Sequence, residues 1–118
     1  MIHAKVVEIG KQAISQKDPM IILFGETATA EIKKVAVIQE FKEGIPNEAL
    51  RVGGEVAFGE QVYHIQRVGS LANENLQSIG HVTLIFSDIP EEDVLENALY
   101  LSPKELPKID LDTEIKYS

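Results

Sequence analysis

The stretch "NLQSIGHVTLIF" (residues 75–86) changes its hydrophobic period halfway along, and that change decides the fold. Up to Gly80, the apolar residues Ala72, Leu76 and Ile79 recur at i, i+4 and i+7, which is one face of a helix. After Gly80, Val82, Leu84 and Phe86 alternate with His81, Thr83 and Ile85, which is the period of a strand with one face to a core. Gly80 suits the left-handed position that ends a helix, and Ser70 is placed to cap its start. The spacing therefore predicts a helix over 70–80 and a strand over 81–86. It sets His81 at the strand's first position, on the face away from the core.

Outward from this stretch, strand signals dominate. "IHAKVVEI" (2–9) is rich in β-branched residues, and "MIILF" (20–24) is a short apolar run. "KKVAVIQEF" (33–41) puts Val35, Val37, Gln39 and Phe41 on one side under period-2 spacing. "EVAFG" (55–59) and "QVYHIQRVG" (61–69) predict a hairpin or a bulged strand around Gly59-Glu60. "KIDLDTEIKY" (108–117) alternates cleanly, with Ile109, Leu111, Thr113, Ile115 and Tyr117 on one face and a break near Asp112. A short helix or turn is expected at 10–17. A second short helix is expected at 90–97, where Pro90 is followed by three acids in the first turn. Many strands and few helices predict a mostly β fold, a barrel or sandwich in a single domain over 1–118.

Composition narrows the function classes. Hydrophobic residues make up 44% of the 118, enough for a real core, and no run approaches the ~20 apolar residues of a membrane span. The start, "MIHAKVVEIG", has no basic segment leading into a signal-peptide core, so no leader is expected. With no cysteine there is no thiolate chemistry and no disulfide, which fits a cytoplasmic setting. Nineteen acids against eleven bases give a net charge of −8. That balance argues against nucleic acid, whose phosphates are held by Lys and Arg; it is compatible with a basic protein partner and equally explained by solubility alone.

Candidate chemistry reduces to three histidines. His3 reads as a surface or edge residue of the terminal strand. His64 alternates with Val62, Gln66 and Val68 and reads as partly buried and structural. His81 stands apart. At a strand end off the core face it is either an accessible imidazole, able to serve as nucleophile or base near neutral pH, or a polar residue closing a helix–strand junction. The histidine spacing holds no metal pattern, and the glycines of "RVGGEVAFG" (51–59) lack the Lys-Ser/Thr of a phosphate-binding loop.

Residues 50–86 resemble the glucitol/sorbitol-specific IIA component of the bacterial phosphoenolpyruvate-dependent sugar phosphotransferase system (PTS). The resemblance is carried by "LRVGGEVAFGEQVYHIQRVG" (50–69) and by "VGSLANENLQSIGHVTLIF" (68–86), which fits VGxxAxxNLxxxGHxTLxF. It extends more weakly over nearly the whole chain. It implies a compact β-barrel-like cytoplasmic domain with no metal or organic cofactor. Such a domain takes a phosphoryl group from the carrier HPr onto a histidine and passes it to a IIB domain, which serves a membrane-embedded IIC transporter. It also implies a phosphohistidine in the strand before a Gly-containing turn. Aligned without gaps through "IKKVAVIQEFKEG" (32–44), that position is Gln39, and a second family histidine falls on Phe41. Glutamine carries no phosphoryl group. The remaining motif histidine, His81, becomes the candidate catalytic residue. The alternative is a non-catalytic IIA-like regulatory or binding protein.

Overall fold

Alternation along the strands places one face of each in a shared core, and closure of the sheet removes its free edges. In the computed structural model, which describes residues 2–15, 17–46, 49–92 and 94–118, eight strands and two short helices form a closed barrel. The elements are β1 (Ile2–Ile9), β2 (Met20–Phe24), α1 (Ala30–Val35), β3 (Val37–Phe41), β4 (Glu55–Phe58), β5 (Gln61–Val68), α2 (Ala72–Ile79), β6 (Val82–Ile85), β7 (Ala98–Ser102) and β8 (Glu114–Tyr117). The order around the barrel is β1-β3-β2-β6-β7-β5-β4-β8. The β2–β3 and β6–β7 pairs are parallel and the rest antiparallel. Parallel neighbours need a crossover, and α1 lies in the first of the two.

The expected mostly β barrel is therefore the observed fold. The inward residues Ala4, Val6, Ile21, Leu23, Val56, Phe58, Tyr63, Ile65, Val82, Leu84, Phe86, Leu99, Leu101, Ile115 and Tyr117 make one core, to which α2 adds Ala72 and Leu76. The β4–β5 hairpin turns on Gly59-Glu60, with Gly59 at φ 63, a value that a two-residue turn asks of its first position. Outside the barrel, α1 covers Ile22, Phe24 and Ile38, a separate small cluster.

Five expectations are corrected. The strand predicted over 33–41 begins at Val37, because residues 30–35 are helical. Thr29 caps that helix by accepting the Ile32 N–H on its Oγ1 at 3.3 Å. The run 108–117 is strand only from Glu114. A turn around Asp112 (φ 68) leaves Leu111 61% exposed instead of on the core face. The cap expected of Ser70 is absent. Leu71 is the N-cap without a side-chain hydrogen bond, since the Ser70 N–H donates to Glu96 Oε1 and the Leu71 N–H to Glu96 O. Ile79, expected on the buried helix face, is 39% exposed. The helix expected at 90–97 is not formed by its described residues, Asp93 lying outside them. Val94 and Leu95 are adjacent and cannot share one helical face, so Val94 packs on Ile85, Ala98 and Tyr100 while Leu95 stays exposed. Residues 10–17 make turns, with Gln16 outside the description. The strand β7 carried no expectation at all.

Candidate functional site

His81 sits where α2 hands over to β6, and its backbone is fixed before its ring is considered. Gly80 ends α2 at φ 65 and ψ 23, left-handed values that a side chain resists. The Gly80 N–H donates to Leu76 O at 3.0 Å and the His81 N–H to Asn75 O at 3.2 Å. Beyond the end of β2, the Gly25 N–H donates to Ile79 O at 3.0 Å. A Cβ at Gly80 would stand 2.9 Å from Gly25 Cα, so the two backbones pass too closely for a side chain there. The result places His81 beside the last residues of β2.

Three groups then hold the imidazole. Nδ1 lies 3.0 Å from Leu23 O, and Nε2 lies 3.0 Å from Asn97 Nδ2. The Phe24 ring packs on it with centroids 4.7 Å apart. A carbonyl oxygen only accepts, so Nδ1 carries the proton of the neutral ring and donates to Leu23. Nε2 keeps the lone pair and accepts from the Asn97 amide. Asn97 is stationed there by its own backbone, whose carbonyl accepts the Thr83 N–H at 3.1 Å as β7 joins β6. Its neighbour Glu96 is anchored as well. The Ser70 N–H donates to the Glu96 carboxylate and holds that group below its ordinary value of 4.5. The predicted facing of β6 is observed, with Val82, Leu84 and Phe86 in the core and His81 half-buried on the outside. Thr83 and Ile85, on the same outer face, are nonetheless covered.

Gln39 lies close by and is different in kind. It is 1% exposed, facing into the barrel from β3. Its Nε2 donates to Gly80 O at 2.9 Å, and its Oε1 accepts from the Tyr117 hydroxyl at 2.5 Å. Phe41, two residues on, packs towards Gly80 and stacks on Tyr117 with centroids 6.0 Å apart. Burial pushes the Tyr117 phenol far up, so it is a protonated donor at any ordinary pH. The strand that carries Gln39 and the junction that carries His81 are thus joined directly.

The other histidines are elsewhere. His3 accompanies Glu43, whose carboxylate accepts the His3 N–H at 2.8 Å and lies 3.1 Å from Nδ1, and these hydrogen bonds lower the Glu43 pKa. His64, expected to be partly buried, is exposed on the outer face of β5 with Nδ1 3.6 Å from Glu55. The core side of that strand is Tyr63 and Ile65, and the alternation of Val62, His64 and Gln66 belongs to solvent. Among the described residues no three His, Asp or Glu side chains are grouped to hold a metal, and no helix is long and apolar enough to cross a membrane. Clefts of about 520, 510 and 450 Å³ among the described residues are lined by residues other than His81.

Sequence reasoning singled out His81 as a candidate and missed the groups that hold its ring. Leu23 contributes a backbone carbonyl, which no side-chain pattern announces. Asn97 was findable as the polar residue ahead of "ALYLS" (98–102), had that run been read as a strand.

Comparison with known proteins agrees with this architecture. The family model described as "PTS system glucitol/sorbitol-specific IIA component" matches residues 1–116. The glucitol/sorbitol-specific EIIA component of the PTS in Escherichia coli K12 is 35% identical over 89 residues, 75% of this chain and 71% of that protein. Its counterpart in Shigella flexneri is 34% identical over the same shares. A crystal structure of a PTS system IIA component from Enterococcus faecalis V583 superposes with a TM-score of 0.89 at 50% identity, covering 98% of both chains.

Proposed function

Given that the chain belongs to the glucitol/sorbitol-specific IIA component family of the phosphotransferase system, we propose that His81 is its phosphoryl acceptor, through Nε2. IIA components in general work with HPr and with IIB and IIC components. Here the donor is histidine-phosphorylated HPr, and the recipient is a IIB domain serving glucitol/sorbitol uptake, both on the cytoplasmic side. The observation that carries the reading is the hydrogen bond from His81 Nδ1 to Leu23 O. It fixes the tautomer and leaves the lone pair of Nε2 facing the Asn97 amide. No other described histidine has both ring nitrogens held in this way.

In the transfer, the Nε2 lone pair of His81 attacks phosphorus while the phosphorus–nitrogen bond of the donor breaks. The bonding pair returns to the donor imidazole. The Nδ1 proton of His81 stays in place, so no separate base is required. The Asn97 amide gives up the Nε2 lone pair and donates to a phosphoryl oxygen instead, a hydrogen bond strengthened by the charge it meets. The group is exchanged between protein side chains, so a half-buried ring at a surface suffices and no sugar pocket is needed in this domain.

Uptake of phosphate from phosphorylated HPr, followed by intact-protein mass spectrometry at neutral pH, tests the assignment. The wild type and the His3→Ala and His64→Ala variants are expected to gain one phosphoryl group, and His81→Ala none. Equal uptake by His81→Ala rejects His81 as the acceptor. No uptake by the wild type supports a non-catalytic binding protein.

A further inference from the structure

We infer that Gln39, with Tyr117 behind it, is a positioning residue for His81, an assignment that rests on His81 as the acceptor. Gln39 never touches the imidazole. It acts on the peptide that joins Gly80 to His81. The carbonyl of that peptide accepts from Gln39 Nε2 at 2.9 Å, and its N–H donates to Asn75 O at 3.2 Å. Both polar groups of one peptide plane are therefore held, one by a strand on the other side of β2 and one by the helix. A carbonyl at a helix end has no intrahelical partner, and this one is satisfied by a side chain from the barrel interior.

The source of that side chain is itself fixed. The Tyr117 hydroxyl donates to Gln39 Oε1 at 2.5 Å, which settles which end of the amide faces Gly80. Tyr117 is buried on β8 and stacked on Phe41. Gln39 is held by β3, whose register against β1 runs from Ala4–Phe41 to Ile9–Val37. Rotation of the Gly80–His81 peptide would swing the His81 Cα and withdraw Nδ1 from Leu23 O. A chain of hydrogen bonds from β8 through β3 to the end of α2 opposes that rotation. Gly80 has no side chain and sits at positive φ, so its backbone offers less resistance of its own. A buried amide used merely to fill the core would need partners, but those partners need not converge on the residue preceding the acceptor.

Gln39→Met keeps the length of the side chain and deletes both hydrogen bonds, while Tyr117→Phe removes the brace alone. Two readouts separate positioning from stability. One is the His81 tautomer, from long-range 1H–15N correlations of the imidazole. The other is rapid-quench phosphoryl uptake over a range of phosphorylated HPr concentrations. Gln39→Met is expected to lower the limiting rate by about 10- to 100-fold with the half-saturating concentration within about twofold, because misplacing a reacting atom costs rate and not docking. It is also expected to lose the pure Nδ1–H signature. Tyr117→Phe is expected to lower the same rate by about three- to tenfold. If both variants lose only melting temperature, with rate and tautomer unchanged, the inference is overturned. Should Gln39→Met fail to fold, an unchanged rate and tautomer in Tyr117→Phe overturns it alone. Where the wild type takes up no phosphoryl group, the acceptor assignment fails, and the tautomer readout still decides the role of Gln39.

Discussion

The barrel contains two helix-to-strand junctions, α1 into β3 and α2 into β6, and they are built on opposite principles. The second is anchored from within. Ala72 and Leu76 enter the barrel core, and Gly80 stops the helix at a left-handed position. The first is anchored from without. No residue of α1 is fully buried, and the helix lies over Ile22, Phe24 and Ile38 on the outside of the barrel under a Thr29 cap. It ends without a glycine, passing through Ala36 at φ −127 straight into β3. The hydrogen bond from Gln39 to Gly80 ties the two junctions together, so the loosely anchored one supplies a restraint on the firmly anchored one.

The most severe way to break this contrast is Leu76→Ala, which empties space in the core beneath α2. A loss of about 2–5 kcal/mol is expected by urea unfolding, the range for deletion of a buried leucine. Gly80→Ala is expected to cost about 1–3 kcal/mol through its positive φ, more if Gly25 cannot yield, and to slow phosphoryl uptake because His81 moves with it. Tyr117, which braces Gln39, has a pH signature of its own. Burial raises the folded Tyr117 pKa above its ordinary 10.0, so stability is fully present below that value and falls as pH rises. In denaturation at a series of pH values, Tyr117 is expected to contribute a loss of about 1.4 kcal/mol by about pH 11, so the alkaline loss is smaller in Tyr117→Phe, where the buried Tyr63 still contributes its own. Thr29→Ala, at the first junction, is expected to cost about 1 kcal/mol by removing the cap, with phosphoryl uptake unchanged. Weakest of all, Lys34→Ala breaks the exposed pair with Glu31 and is expected to change stability by less than about 0.5 kcal/mol.

The same contrast explains how much could be read in advance. α2 declares itself because burial imposes a helical period on Ala72 and Leu76, and because Gly80 marks its end. α1 buries nothing fully, so burial leaves no such period. Its last residue, Val35, and the extended C-cap Ala36 run into Val37 without a break, which lets the strand pattern of β3 extend backwards over a helix. Thr29 and the helix formers Ala30, Glu31, Lys33 and Lys34 were the available signal. Strand β7 escaped for a related reason: "ALYLS" is buried at four of its five positions and shows no alternation. At the site, His81 was legible as a polar residue at a strand start. Its restraints were not, because they come from the Leu23 backbone and from Asn97 and Gln39, 16 and 42 positions away in sequence or reached through the fold. Gln39 was legible as an inward-facing residue of β3 and as a missing histidine. That it is satisfied by Gly80 and Tyr117 appears when β3, β8 and the end of α2 are brought together.

The most direct measurement is long-range 1H–15N correlation of the histidine rings in wild-type protein after exposure to phosphorylated HPr. The account expects one phosphoryl group on Nε2 of His81, with Nδ1 still protonated towards Leu23. A phosphoryl group on His3, on His64 or on Nδ1 of His81, or none on any histidine, contradicts it.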